Sequence, residues 1–204
     1  NNKSLVHLDI SYNYIKNNKL HVLLYYAEFD YHNYTILYET LFPDIYNGRF
    51  LKNLIPLYKN NNLYFIYSLF PYILTKPNFK NNTLSIVKKQ GYKLPFELEK
   101  NIMLSGGSSA LPLGDFYLGI GHIKYYKWHI FYKHFFYLLD KECNVIAYTK
   151  NLFCLGKKDG VIQFAVGLIF DKDQVLVSYG ETDCYSKLIY YKFSDIFKNM
   201  IPIN

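Results

Sequence analysis

Apolar and polar residues alternate along most of this chain, and the alternation restarts after a polar turn four times. The turns are Asn17-Asn18-Lys19, Asn60-Asn61-Asn62, Gly114-Asp115 and Asp171-Lys172-Asp173, and they open alternating stretches at residues 20–25, 63–68, 116–122 and 174–179. Period-two alternation bounded by Asn, Asp and Gly predicts β-hairpins. Leading strands are expected at 6–11, 52–58, 107–113 and 161–170, returning strands at 34–41, 84–89, 134–140 and 186–193, and a fourth strand of the third unit at 144–149. The turns recur at intervals of about 43, 54 and 57 residues, at or above the roughly 40–50 of a four-stranded propeller blade. The expectation is therefore a single all-β domain or fragment, a β-propeller with units at about 5–45, 50–97, 102–150 and 160–193. A short helix follows at about 194–200, with Ser194 as its cap.

Residues 105–124 are the most informative stretch. Gly106-Gly107-Ser108-Ser109 brings a nearly bare backbone to a point of close approach, and Gly114-Asp115 reverses the chain. Beyond the turn, Tyr117, Gly119 and Gly121 share one face, and Phe116, Leu118, Ile120 and His122 the other. Counting back about eight residues from each of the four turns lands on Asp9, Lys52, Gly106 and Gln163. Leading strands lie innermost in a propeller, so these positions are expected to converge at one end of a channel. An acid, a base, a bare backbone and an amide suit a hydroxyl-rich ligand.

Composition narrows the class. Half of the 204 residues are apolar and a fifth aromatic, enough for a real core rich in strand formers. No apolar run reaches the roughly 20 residues of a membrane span, so none is expected. The formal charge of +7 is almost all Lys, Arg49 being the one arginine; scattered lysines are poor readers of phosphates and base edges, and no nucleic-acid partner is expected. Cys143, Cys154 and Cys184 are odd in number and lack metal or redox spacing, which predicts reduced thiols and neither metal nor cofactor. With no signal peptide in view this favours a cytoplasmic location. The chain does not begin with Met, and a fragment or processed piece is expected.

The segment from Ser105 through Tyr117-Leu118 to His122 resembles the small-residue run, apolar strand and terminal His of glycoside hydrolase family 130, β-mannoside phosphorylases and hydrolases on a five-bladed propeller. The mannosyltransferases and phosphorylases of glycosyltransferase family 108 share that architecture. Residues 134–140, Val145-Ile146-Ala147, 164–168 and 176–183 continue the resemblance, the last being similar to a closing motif in which an Asp three residues after Tyr-Gly faces the sugar. That position is Asp183. Upstream, Asp9 stands where the family carries an acid within Asp-Pro-Arg, but Ile10 and Ser11 replace the Pro and Arg; Lys52-Asn53 is similar to a Lys-Asn pair whose following Trp is Leu54 here. The resemblance implies a five-bladed propeller of which about four blades are visible, with an N-terminal blade supplied by a missing segment or a partner chain.

These readings give Asp9 as candidate general acid and Glu28 as second carboxylate, since a glycosidase needs two. Lys52, Asn53, Ser108, Ser109, His122, Gln163 and Asp183 are candidate contacts to a glycan or sugar donor. A phosphorylase needs planar cationic forks for phosphate, which a single Arg supplies poorly. Glycosyl transfer or hydrolysis of a mannoside-like unit remains, as does a non-catalytic module binding glycan or protein. Each residue also has a plain role open to it: Asp9 as a solvated acid, His122 as a bonded strand end, Asp183 as a turn former.

Overall fold

In a computed structural model of the chain, the described residues are 5–16, 19–30, 33, 35–42, 53–94, 96, 104–126, 130–156 and 160–203. They form sixteen strands and one short helix, all strand pairings being antiparallel where the register is defined. The protein is all-β.

Four sheets follow one another along the chain. The first is β1 (Leu5–Lys16), β2 (Lys19–Asp30) and β3 (Thr35–Phe42); the second is β4 (Ile55–Lys59), β5 (Asn62–Leu69), β6 (Tyr72–Asn78) and β7 (Thr83–Gln90). The third holds β8 (Leu104–Gly106), β9 (Leu111–Leu113), β10 (Phe116–Tyr126), β11 (Ile130–Asp140) and β12 (Val145–Thr149), and the fourth β13 (Gln163–Asp171), β14 (Gln174–Glu181) and β15 (Tyr185–Lys192). Each of the four polar turns joins paired strands. Asn60 and Asn61 both take φ near +55°, at 49° and 58°, as a two-residue hairpin turn requires, while Gly114 and Lys172 supply φ of 61° and 53° at theirs.

Three details differ from the alternation pattern. Residues 107–113 do not form one leading strand: β8 and β9 pair separate parts of β10, because Gly107 leaves the ladder and its N–H donates to the Ile120 carbonyl at 3.1 Å. Strand β6 fills the second sheet, where its Thr75 hydroxyl donates to the buried Phe65 carbonyl at 3.0 Å. The helix α1 spans Phe193–Lys198, and the chain then continues as β16 (Met200–Pro202) on the free edge of β12. Lys192 caps α1 without a side-chain bond; Ser194 lies inside it.

The chain divides into two compact units. The first comprises residues 1–67 and 74–87, with Phe42 of β3 packed against Phe65 of β5 and Phe79 at ring separations of 6.2 and 5.9 Å. The second comprises residues 68–73 and 88–204 and is organised about the third sheet. On one face of that sheet Gly119 and Gly121 lie opposite Tyr137 and Phe135, whose rings cover the bare backbone. Phe135, Tyr137, Tyr92 and Tyr148 form a continuous aromatic layer, and the Tyr92 and Tyr148 hydroxyls both donate to the Leu69 carbonyl. Burial raises the pKa of all three tyrosines of this group, so they stay neutral phenols. Gln90 joins the same unit through a two-way amide pair with the backbone of Val145, at 2.9 and 3.0 Å.

The opposite face is aliphatic. Leu118, Ile120, Phe136 and Leu138 meet Ala165, Leu168, Val175, Val177 and Tyr179 of the fourth sheet, and Ile196 of α1 closes the cluster. Fully burying a large apolar side chain such as Leu118, Ile120 or Phe136 is worth on the order of 1.5–3 kcal/mol.

The glycine row gives a first expected outcome. A Cβ at Gly119 would lie 2.3 Å from the Tyr137 ring, whereas one at Gly180 meets nothing within 4 Å. Gly119→Ala should lose about 1–3 kcal/mol in urea unfolding, and Gly180→Ala should stay within about 0.5 kcal/mol of the parent.

Candidate functional site

At the upper end of the aliphatic face the side chains turn polar without turning to solvent. His122 of β10 is 3% exposed and His134, its direct partner on β11, is fully buried. Their rings lie 6.2 Å apart, and His122 meets Tyr132 and Phe164 edge-on at 4.9 and 5.2 Å. The His122 ring bonds the Gly106 backbone and the His134 ring the backbones of Phe153 and Gln163, while His122 Nδ1 has no hydrogen-bond partner among the described residues. Burial, then the neighbouring His134, pushes His122 down to about 3; burial alone dominates in moving His134 down to about 4, against the pull of the Phe153 and Gln163 carbonyls. Both imidazoles are neutral at pH 7.

Gln163 opens β13 and pairs across the sheet with Glu181, the last residue of β14. It is fully buried; its Oε1 accepts from the Leu155 N–H at 2.9 Å, and its Nε2 donates to Glu181 Oε2 at 3.2 Å. The other Glu181 oxygen accepts from the Lys187 ammonium of β15, which raises the lysine pKa. Gly156 is required here: a Cβ would sit 2.9 Å from Gln163 Nε2, Glu181 Oε2 and the Tyr179 hydroxyl alike. The loop carrying Gly156 is held by paired backbone bonds between His134 and Phe153, at 2.8 and 3.0 Å. The histidine pair and the amide–carboxylate pair are thus two halves of one buried polar neighbourhood.

The chain after Glu181 turns through Thr182 and Asp183, both at φ of 56°. A β-branched residue in that region costs of order 1–3 kcal/mol, and Thr182 is held there by its N–H to the Ile162 carbonyl at 2.8 Å and its hydroxyl to the Glu181 carbonyl at 2.8 Å. Asp183 is exposed at the tip.

Of the residues expected from sequence, His122 and Gln163 fall in this polar neighbourhood. Ser108 is buried with its hydroxyl donating to the Ser109 carbonyl at 3.2 Å, and Ser109 is half-buried. In the first unit, Asp9 lies opposite Tyr26 and Glu28 opposite His7, which puts both acidic positions on one face of the β1–β2 hairpin, diagonal neighbours in register. Their side chains, and Lys52 altogether, lie outside the described residues. Asn53 leads into β4 with φ of 61°. His134 and Glu181 were not singled out by sequence. Glu181 carried a readable signal: Val175, Val177, Tyr179 and Glu181 share the inward parity of β14, while Asp183 falls beyond its end. Among the described residues no cluster of three or more His, Cys, Asp or Glu is placed to hold a metal.

No protein-family model and no curated protein matches the sequence. Solved structures do match in fold. A glycoside hydrolase from the GH130 family of mannoside phosphorylases, which contains enzymes targeting β-1,2-mannosidic linkages in Candida mannan, superposes with a TM-score of 0.58 at 12% identity over 90% of this chain and 61% of its own. A glycosyl hydrolase from Bacteroides ovatus gives 0.58 at 11% identity over 95% and 63%. The β-1,2-mannobiose phosphorylase of Listeria innocua gives 0.60 at 16% identity over 94% and 56%. The fold is shared with these enzymes. The chain spans 56 to 63% of their length.

The neutral histidines set a pH dependence. An unfolded His titrates near 6.5, above the folded values of about 3 and 4, so their contribution is complete above pH 6.5 and is lost as pH falls toward 4. Unfolding free energy should decline by up to about 1.4 kcal/mol per pH unit per histidine over that window, and the decline should be shallower in His122→Gln, measured by chemical denaturation from pH 7.5 to 4.5.

Proposed function

We propose that this chain is a carbohydrate-active β-propeller, each antiparallel sheet forming a blade of a five-bladed architecture, and that it binds a glycan and hydrolyses or transfers a mannoside-like glycosyl unit. The observation that carries the reading is the fold likeness to three glycan-processing enzymes across 90 to 95% of this chain. The pairing of Asp9 and Glu28 on one face of the first hairpin supports it, because glycoside cleavage needs one carboxyl to protonate the leaving oxygen and another to act on the anomeric carbon or its water. Lys52, Asn53, Ser108, Ser109, His122, Gln163 and Asp183 are the proposed sugar contacts. The scarcity of arginine favours transfer or hydrolysis over phosphorolysis.

A second reading, a non-catalytic module binding glycan or protein, is favoured by Ile10 and Ser11 standing where the resembled family carries Pro and Arg. Product analysis with β-linked manno-disaccharides separates the two. An enzyme releases mannose or a transfer product, and Asp9→Asn lowers kcat by about 100-fold or more while leaving KM near the parent value. Binding without product, unchanged by Asp9→Asn, establishes the module. Turnover that survives Asp9→Asn at the parent rate removes Asp9 from the mechanism.

A further inference from the structure

The second unit contains a cavity of about 230 Å³ that none of the proposed site residues lines. Its apolar wall is Phe136, Phe153, Tyr191 and Ile196; its polar groups come from Thr149, Asn151, Asp195 and Asn199. Phe136 and Phe153 stack at 5.3 Å and 25°, and Tyr191 packs against the two rings at 5.3 Å, so the wall is a fixed aromatic surface.

The polar groups differ in what they have left to offer. Thr149 Oγ1 already accepts from the Phe136 N–H at 3.1 Å, and Asn199 Nδ2 donates to the Asp195 carbonyl at 2.8 Å, leaving the Asn199 amide oxygen as an acceptor. The Asn151 amide and the Asp195 carboxylate make no hydrogen bond to another described residue. The chain on either side of Asn151 is nevertheless fixed, the Lys150 N–H donating to the Asn199 carbonyl at 2.7 Å and Phe153 being bonded both ways to His134, and Asp195 stands on α1. Spare carboxylate and amide groups over an aromatic wall, held by rigid elements, recognise a ring with an apolar C–H face and a hydroxyl edge. No lining residue is cationic, which disfavours an anion. The volume is below the roughly 300–1,000 Å³ of pockets for drug-sized ligands, which limits the occupant to one ring.

We propose that this cavity is an accessory subsite for a single pyranose unit, held by Asp195 and Asn151 against the Phe153 and Tyr191 rings. The proposal rests on the carbohydrate reading only for the choice of a mannoside as probe.

The test is a ¹⁵N NMR titration of the whole chain with methyl β-mannopyranoside, read residue by residue and without turnover. The backbone amides of Asn151, Phe153 and Asn199 should shift and saturate. Asp195→Ala and Asn151→Ala should each weaken that binding by about tenfold with the remaining spectrum unchanged, since both side chains are exposed and unbonded, while Asp9→Asn should leave it intact. Absence of shifts at these amides, or shifts that persist at parent affinity in both variants, overturns the subsite whatever the outcome of the turnover assay. So does movement of the same amides with tetramethylammonium but not with the sugar, which would make the rings a cation cage.

Discussion

The second unit depends on two glycines lying beneath two aromatic rings. Gly119 and Gly121 remove the side chains that would otherwise stand on one face of β10, and Tyr137 and Phe135 of β11 occupy the space to within van der Waals contact. That substitution of ring for Cβ lets the aromatic layer close directly on the backbone, and it joins Tyr148, Tyr92 and the Leu69 carbonyl into the same layer. With one face sealed in this way, Leu118, Ile120 and His122 on the other face of β10 project toward the fourth sheet. The position of His122 is therefore a consequence of the glycine row and of period-two alternation together.

The polar neighbourhood is tolerated because most of its groups are neutral or paired. Two charged imidazoles side by side in that environment would repel and be desolvated, and burial resolves this by keeping both uncharged. Glu181 accepts from Gln163 on one oxygen and from Lys187 on the other. Breaking such a pair on one side would leave an unmatched charge, a far larger penalty than the pair itself contributes. His122 Nδ1 is the part of this region with hydrogen-bonding capacity to spare.

Much of this organisation can be read from residues alone, for local reasons. Asn60-Asn61, Gly114 and Lys172 mark turns because each adopts the left-handed backbone conformation, and Asn and Gly do so at little cost. Alternation from Leu118 to His122 puts the histidine on the core face once the hairpin is known. What alternation lacks is register: nothing local pairs His122 with His134, and Gln163 meets Glu181 only because a bulge between Ala165 and Gly167 shifts the β13–β14 pairing by one residue, where the register at the turn would set it opposite Thr182. Asp183 of the closing motif lies in the turn, whereas Glu181, two positions earlier, is carried inward by the strand parity of β14, which the motif does not mark. Strand β16 is illegible for a different reason, since three residues after a helix carry too little periodicity.

We propose that the acidic face of the first hairpin belongs to a glycan-processing site. An experimental structure of the chain with a bound β-1,2-mannobiose tests it most directly. The glycosidic oxygen should lie between Asp9 and Glu28, with the two carboxyl groups about 5–9.5 Å apart. A disaccharide bound elsewhere, with both carboxylates turned to solvent, would contradict it.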